Sequence, residues 1–216
     1  GGQFNKKVTD SYLAEGLEIG DTKNDNGCYT VTDKNDAQIG TTLYKTFELA
    51  LQSVQEGETI KLRHNVVVSE QIVIDKAIKI NLNGHTLTST YELVGDGEGR
   101  YAIVNKKALT IVGSSGNAKI VADKARVIGA YADLTLNQVQ VTSALDGGHA
   151  SVALCGDNGT YNINNKSVLT GEYALMCFAN DATVKITGSS KLNGRVCGFY
   201  HNGTKKNLTL TATSVT

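Results

Sequence analysis

A short alternating motif recurs to the end of the chain, and it limits the fold more than any other feature. Its clearest copy is Ala77 to Thr88, AIKINLNGHTLT. Ile78, Ile80 and Leu82 alternate with Lys79 and Asn81. That period of two puts the apolar side chains on one face of a strand. Asn83-Gly84 then reads as a tight turn, because both residues tolerate positive φ. Comparable strands follow at Leu109-Thr-Ile-Val, Leu134-Thr-Leu-Asn, Tyr161-Asn-Ile-Asn, Val184-Lys-Ile-Thr and Leu208-Thr-Leu-Thr. Counted from Ile78, they are spaced 31, 25, 27, 23 and 24 residues apart. Periods of about 20 to 50 residues mark a repeat architecture. No helical period runs through these copies, so the repeating unit is all-β.

A second strand precedes each copy: Tyr101–Val104, Val127–Tyr131, Val152–Cys155, Ala174–Phe178 and Val196–Tyr200. These runs are almost continuously apolar. They are expected to be covered on both faces or to carry an exposed apolar surface. A weaker third strand falls near Ile120–Val121, Val139–Val141, Val168–Leu169 and Lys191–Leu192. Three short strands per repeat predict a single-stranded, right-handed parallel β-helix. It would have about six to seven rungs, which at ~4.8 Å apart make a coil roughly 30 Å long. A β-propeller needs about four strands and 40 residues per repeat and fits less well. On this reading Ile78, Ile80 and Leu82 form the first full core layer.

The chain has 216 residues, enough for one domain with a sizeable core. Its 23 glycines and the absence of Trp and Pro suit many short strands joined by Gly/Asn turns. Lys plus Arg (21) equals Asp plus Glu (21), which argues against a nucleic-acid partner. No apolar run is long enough to span a membrane. Gly1-Gly2 reads as a trimmed start, from which a secretion signal could have been removed.

Residues 1–41 read as a mostly polar segment with one short strand near 28–32. Residues 42–56 are expected to form an amphipathic helix, with Leu43, Phe47, Ala50, Leu51 and Val54 on its apolar stripe. Thr41 or Thr42 would cap its start and Gly57 would end it. Such a helix would cover the open lower end of a β-helix spanning 59–216, helix and coil forming one domain. The chain closes on strand-like LTLTATSVT with no capping helix, so it is expected to be part of a longer chain.

The string GETIKLRHNVVVSEQIVIDKAIKINLNGHTLT resembles the start of right-handed β-helix domains of the pectate-lyase-like superfamily. It is most similar to those of large bacterial surface proteins, where a helix like Leu43–Val54 precedes the same pattern. The resemblance covers about Tyr29 to Leu87 directly, and the rest only in its periodicity. It implies a cell-surface or extracellular setting. Enzymes of that superfamily act on polysaccharides in a groove along one sheet, lyases with calcium and an Arg or Lys base, hydrolases with clustered aspartates. No local motif here carries those residues over, and the fold hosts many functions.

Candidate sites therefore come from columns of equivalent residues. Asp133, Asp157 and Asp181 are spaced 24 and 24 residues apart, about one rung. Stacked carboxylates repel unless a cation intervenes, which makes a calcium site conceivable. The plainer reading is that they are turn residues bonded to backbone N–H groups. Arg100, Arg126 and Arg195 each precede an apolar strand and could line a groove with Asp123, Asp146 and His149; ordinary surface ion pairs are the alternative. Tyr131, Phe178, Phe199 and Tyr200 recur at one part of their rungs, as a sugar-stacking platform or a buried stack. His64, His85 and His201 read as surface or turn histidines. Cys155, Cys177 and Cys197, spaced 22 and 20 residues apart, are expected in or near one vertical column, as buried thiols or bridged between rungs.

Three functions follow as expectations. The first is a non-catalytic β-helix module of a bacterial surface protein, structural, adhesive or binding glycans or host-cell ligands. The second is a carbohydrate-active lyase or hydrolase, with Asp133, Asp157, Asp181, Arg126 and Arg195 as its catalytic candidates. The third is a phage tail-fibre segment, which predicts a trimer. Sedimentation velocity separates it from the others, since a monomer at all concentrations removes the tail-fibre reading.

Overall fold

The computed structural model describes residues 2–9, 12–14, 17–147, 149–202 and 207–213. Before the coil, β1 (Gln3–Phe4), β2 (Leu17–Lys23) and β3 (Tyr29–Asp33) form an antiparallel sheet in the order β1-β3-β2. Only β3 was expected from the pattern. The polar composition of Asp21–Gly27 favours a turn, yet β2 runs on to Lys23. The turn follows it, with Asn24 Oδ1 accepting from the N–H groups of Asn26 and Cys28.

The expected helix over 42–56 is shorter than its apolar stripe. Residues Thr42–Tyr44 form a strand, β5, paired antiparallel with β4 (Ala37–Ile39). The helix α1 spans only Phe47–Ser53. Its cap is Thr46, not Thr41 or Thr42: the Thr46 side chain accepts from Leu49 N at 3.2 Å. Leu43, on the strand, is 38% exposed, while Phe47, Ala50 and Val54 enter the core. The helix ends at Val54, where the backbone turns extended and Lys76 Nζ donates to the Val54 carbonyl. Gly57 does not cap the helix. It lies beyond, in the left-handed region, and its N–H bonds Ala77 O at 2.7 Å. The helical spacing misled because a strand antiparallel to β4 can hold Leu43 and Tyr44 just as well.

From Thr59 the chain coils as a parallel β-solenoid of about six turns. The first turn is β6 (Thr59–Leu62), β7 (Val66–Val68) and β8 (Ile72–Ile74). The second is β9 (Ile78–Asn81), β10 (Thr86–Ser89) and β11 (Tyr101–Asn105). The third is β12 (Leu109–Val112), β13 (Lys119–Ala122) and β14 (Arg126–Ala130). The fourth is β15 (Leu134–Asn137), β16 (Gln140–Ser143) and β17 (Ala150–Leu154). The fifth is β18 (Thr160–Asn164) and the long β19 (Val168–Cys177), which serves two faces. The sixth is β20 (Ala182–Ile186) and β21 (Lys191–His201), paired along β19, after which β22 (Leu208–Ala212) opens another turn. The coil thus starts one turn before Ile78, because β6 already pairs in register with β9.

The three strands of each turn make three faces. On the first, Ile60, Ile80, Ile111, Leu136, Ile163 and Ile186 stand one above another, all buried. On the second, Val66, Leu87, Ile120, Val141 and Leu169 do the same. The third carries Ile72, Ile103, Ile128, Val152 and Leu175 inward. The lower end of the first face is closed by β4, which runs antiparallel to β6. This hairpin and α1 share the capping that the sequence assigned to a helix alone.

Removing side-chain volume from such a column leaves a cavity that neighbouring turns cannot fill. Leu136→Ala should cost about 2–5 kcal/mol, as large-to-small core changes do. Thr135→Ala, on the outer side of the same strand, should stay within about 0.5 kcal/mol. Urea unfolding of the two variants checks this, and equal losses would contradict the inward and outward assignment.

Candidate functional site

Three apolar strands of the third face, β11, β14 and β17, are covered on both sides. Every residue of β11, β14 and β17 is buried. Inside lies the solenoid core. Outside lies a second, smaller apolar cluster of Tyr101, Val104, Ala150, Ala153 and Met176, flanked by Tyr131, Cys155, Tyr173 and Phe178. Register explains the split. Val104, Gly129, Ala153, Met176 and Tyr200 form a column pointing away from the core, while Phe199 continues the inward column.

Gly129 lets the cluster form. A Cβ there would lie 2.5 Å from the Tyr101 ring, so the ring can occupy this position only because no side chain is present. Tyr101 meets Tyr131 edge-on, with ring centroids 6.3 Å apart and planes at 82°. Further along, Tyr173 meets Tyr200 at 5.7 Å and 71°. Both are geometries favoured by the ring quadrupole.

Arg126 sits among these rings and is only 7% exposed. A buried guanidinium must have its donors engaged. Nε donates to His149 Nδ1 at 3.1 Å and Nη1 to the Tyr101 hydroxyl at 3.4 Å. Its ζ carbon lies 5.7 Å from the Tyr101 ring centroid, within cation–π range. The Tyr101 hydroxyl and Cys155 Sγ are 3.5 Å apart. The His149 backbone N–H points to Glu172 Oε2 at 3.4 Å.

Burial governs the protonation states here. It raises the Tyr101 and Cys155 pKa values, so both hold their protons at neutral pH, and it pushes Tyr131 up to about 12. Burial also lowers the His149 pKa. Arg126 and then Arg100 lower it further, and Glu172 works against them. His149 is therefore neutral near pH 7. Because Nδ1 accepts from Arg126, the proton sits on Nε2.

The sequence candidates fall into two groups. Tyr131, Phe178, Tyr200 and Arg126 all come to this outer face. His149 reaches Arg126 as the groove reading supposed, but Asp123 is simply exposed. Arg195 is paired with Asp146, and Arg100 with Asp96. Asp133, Asp157 and Asp181 do not converge. Asp133 lies just before the Leu134–Tyr161 pair and its Oδ1 accepts from Thr160 N at 2.7 Å. Asp157 accepts from Asn180 N at 2.6 Å and from Asn180 Nδ2 at 2.9 Å, and Asp181 from Asn207 Nδ2 at 2.7 Å. Each ties one turn to the next at a different place along the corner. An even spacing of 24 residues does not mean one column, since turns differ in length.

Each carboxylate bonds an N–H group of its own, and no cluster of three or more His, Cys, Asp or Glu able to hold a metal occurs among the described residues. The three later cysteines do not stand in one column. Cys177 points inward opposite Leu154, Cys197 lies opposite Tyr173, and Cys155 belongs to the outer cluster; all four cysteines are free. His64, which had no partner readable in sequence, pairs with Asp36 across 3.2 Å.

Tyr101, Tyr173, Glu172 and Cys155 were missed as site residues. Tyr101 and Cys155 lie in runs apolar on both phases, where alternation could not say which side each one faces, and Glu172 and Tyr173 lie just before such a run, in a strand that bends between two faces. Comparison with protein-family models, with curated proteins and with solved structures found no match.

Gly129→Ala should drive the Tyr101 ring off the sheet and loosen the outer cluster. A loss of about 1–3 kcal/mol is expected, as for overpacking elsewhere, together with a changed near-ultraviolet tyrosine circular dichroism signal. An unchanged signal would mean the ring does not lie over Gly129.

Proposed function

We propose that this chain is a non-catalytic, extracellular β-helix module of a bacterial surface protein, akin to the pectate-lyase-like superfamily, whose third face binds a glycan. The supporting observation is the row of tyrosine rings on the outer side of that face, from Tyr101 and Tyr131 to Tyr173 and Tyr200. Sugar rings pack on aromatic faces, and Tyr200, 41% exposed, offers one to solvent. The cations alongside are matched. Arg195 pairs with Asp146, Arg100 with Asp96, and Lys106 with Glu98. Paired ions offer donors and acceptors to hydroxyl groups without a net field, which favours a neutral polysaccharide over a uronan.

A lyase or hydrolase reading has one point in its favour, the convergence of Tyr101, Arg126 and His149. A lyase base must give up its proton near the working pH, and burial moves the Tyr101 hydroxyl the other way. Binding is therefore the better-supported role.

A panel of immobilised neutral and acidic polysaccharides tests this, with and without a calcium chelator. Retention on a neutral glycan is expected, unaffected by chelator. Tyr200→Ala should weaken it about tenfold, the equivalent of losing one aromatic contact of ~1.4 kcal/mol. No retention on any glycan would overturn the binding role, and release of reducing or unsaturated ends would restore the enzyme.

A further inference from the structure

We propose that His149 is a pH-operated latch on the outer face of the third sheet, holding Arg126 and the tyrosine cluster closed when neutral and releasing them when protonated. Its geometry stands on the structure alone; its bearing on ligand binding rests on the glycan reading above.

The contact between Arg126 Nε and His149 Nδ1 at 3.1 Å can exist in only one charge state. A guanidinium never loses its proton at these pH values, so Nε is always the donor. Nδ1 accepts only while the imidazole is neutral. Protonation turns Nδ1 into a second donor and sets two cations in contact. The bond is then not weakened but forbidden.

A carboxylate stands on the other side of the balance. Glu172 already takes the His149 backbone N–H on Oε2 at 3.4 Å, and its carboxylate attracts an imidazolium. The charged groups facing His149 are Arg126 on β14, Arg100 before β11 and Glu172 on β19. Asp146, on the approach to His149, is held by Arg195 of β21. Two cations push the protonated ring away and one carboxylate draws it, so it moves from Arg126 toward Glu172.

Arg126 carries the change to the rings. Its guanidinium holds the Tyr101 hydroxyl and lies against the Tyr101 ring, which covers Gly129 and abuts Tyr131. Protonation of His149 takes the acceptor from Nε of a nearly buried guanidinium and sets a second cation against it, a state that favours its movement away from the ring. Tyr101 and Tyr131 then lose the group that fixes them.

The sign of the pH effect follows. The folded His149 pKa lies below its ordinary value of 6.5, so the unfolded chain binds the proton more readily. The latch is fully closed above pH 6.5. Its contribution is lost as pH falls through the unfolded and then the folded pKa.

Side-chain NMR of the full chain between pH 8 and 4.5, without ligand, reads the latch. At neutral pH the His149 nitrogens should show the Nε2–H tautomer. A single transition below about pH 6.5 should move the His149, Tyr101 and Tyr131 resonances together. In His149→Gln, whose side-chain oxygen still accepts from Arg126 but cannot be protonated, the tyrosine resonances should stay flat. Glu172→Gln removes the attracting carboxylate and should shift the transition to lower pH. The proposal is overturned if His149 titrates while the tyrosines stay still, or if wild type and His149→Gln respond alike. Glycan retention over the same range supplies the second arm. A several-fold loss on acidification in wild type, absent from His149→Gln, ties the latch to binding. A tyrosine transition with no glycan retained at any pH supports the latch and removes only the glycan reading.

Discussion

Everything in this molecule depends on the parallel pairing of each turn with the one below it in constant register. That register stacks like on like inside: Ile80 on Ile60, Ile111 on Ile80, Leu136 on Ile111. A slip of one residue would exchange inner and outer faces on every strand it touched. The core therefore fixes the pairing, and the pairing extends the core. Backbone bonds continue through the corners as well. Leu82 N donates to Val112 O, Gly113 N to Asn137 O and Gln138 N to Asn164 O, so few polar groups are left over where the chain bends.

The corner between the first and second faces shows how a structural repeat can be hidden from sequence. It begins as Asn83-Gly84, with φ of 52° and 83°. The later turns reach the same left-handed region with Ser114, Gln138, Asn165 and Ser189, at φ of 61°, 57°, 51° and 60°. Such residues pay a conformational cost there, offset by cross-turn bonds. Ser114 Oγ donates to Asn81 Oδ1, Asn165 Nδ2 to Asn137 Oδ1, and Thr187 Oγ1 to Asn164 Oδ1. The three aspartates do similar work at another corner, which is why their carboxylates are not gathered for chemistry.

The third face departs from this economy. A sheet that is polar outside needs only one core. Here the outer side carries its own small core, with Arg126 embedded in it. A buried guanidinium is costly unless hydrogen-bonded. Two of its acceptors here are a phenol and a neutral imidazole. An arrangement bound by one neutral histidine is sensitive to the charge of that histidine, and an all-apolar outer face would not be.

The all-β class, the turn spacing and the inward residues of the first two faces were legible in the sequence, because alternation survives wherever one side meets water. The outward tyrosines were half legible. Tyr131, Phe178 and Tyr200 stood out by recurrence, but continuous apolar runs such as Tyr101–Val104 carry no phase. Tertiary structure alone decided three things. It gave Thr42–Tyr44 to a strand, because β4 offered an edge that helical spacing could not reveal. It dispersed the aspartates and cysteines, because turns of unequal length break the link between even spacing and one column. And it joined Arg126 to His149, 23 residues apart in the chain, because Arg126 opens β14, His149 directly precedes β17, and those strands pair side by side. Local pattern determines which residues turn inward; which outward residues meet depends on the length of every turn between them, and only the folded coil sets that.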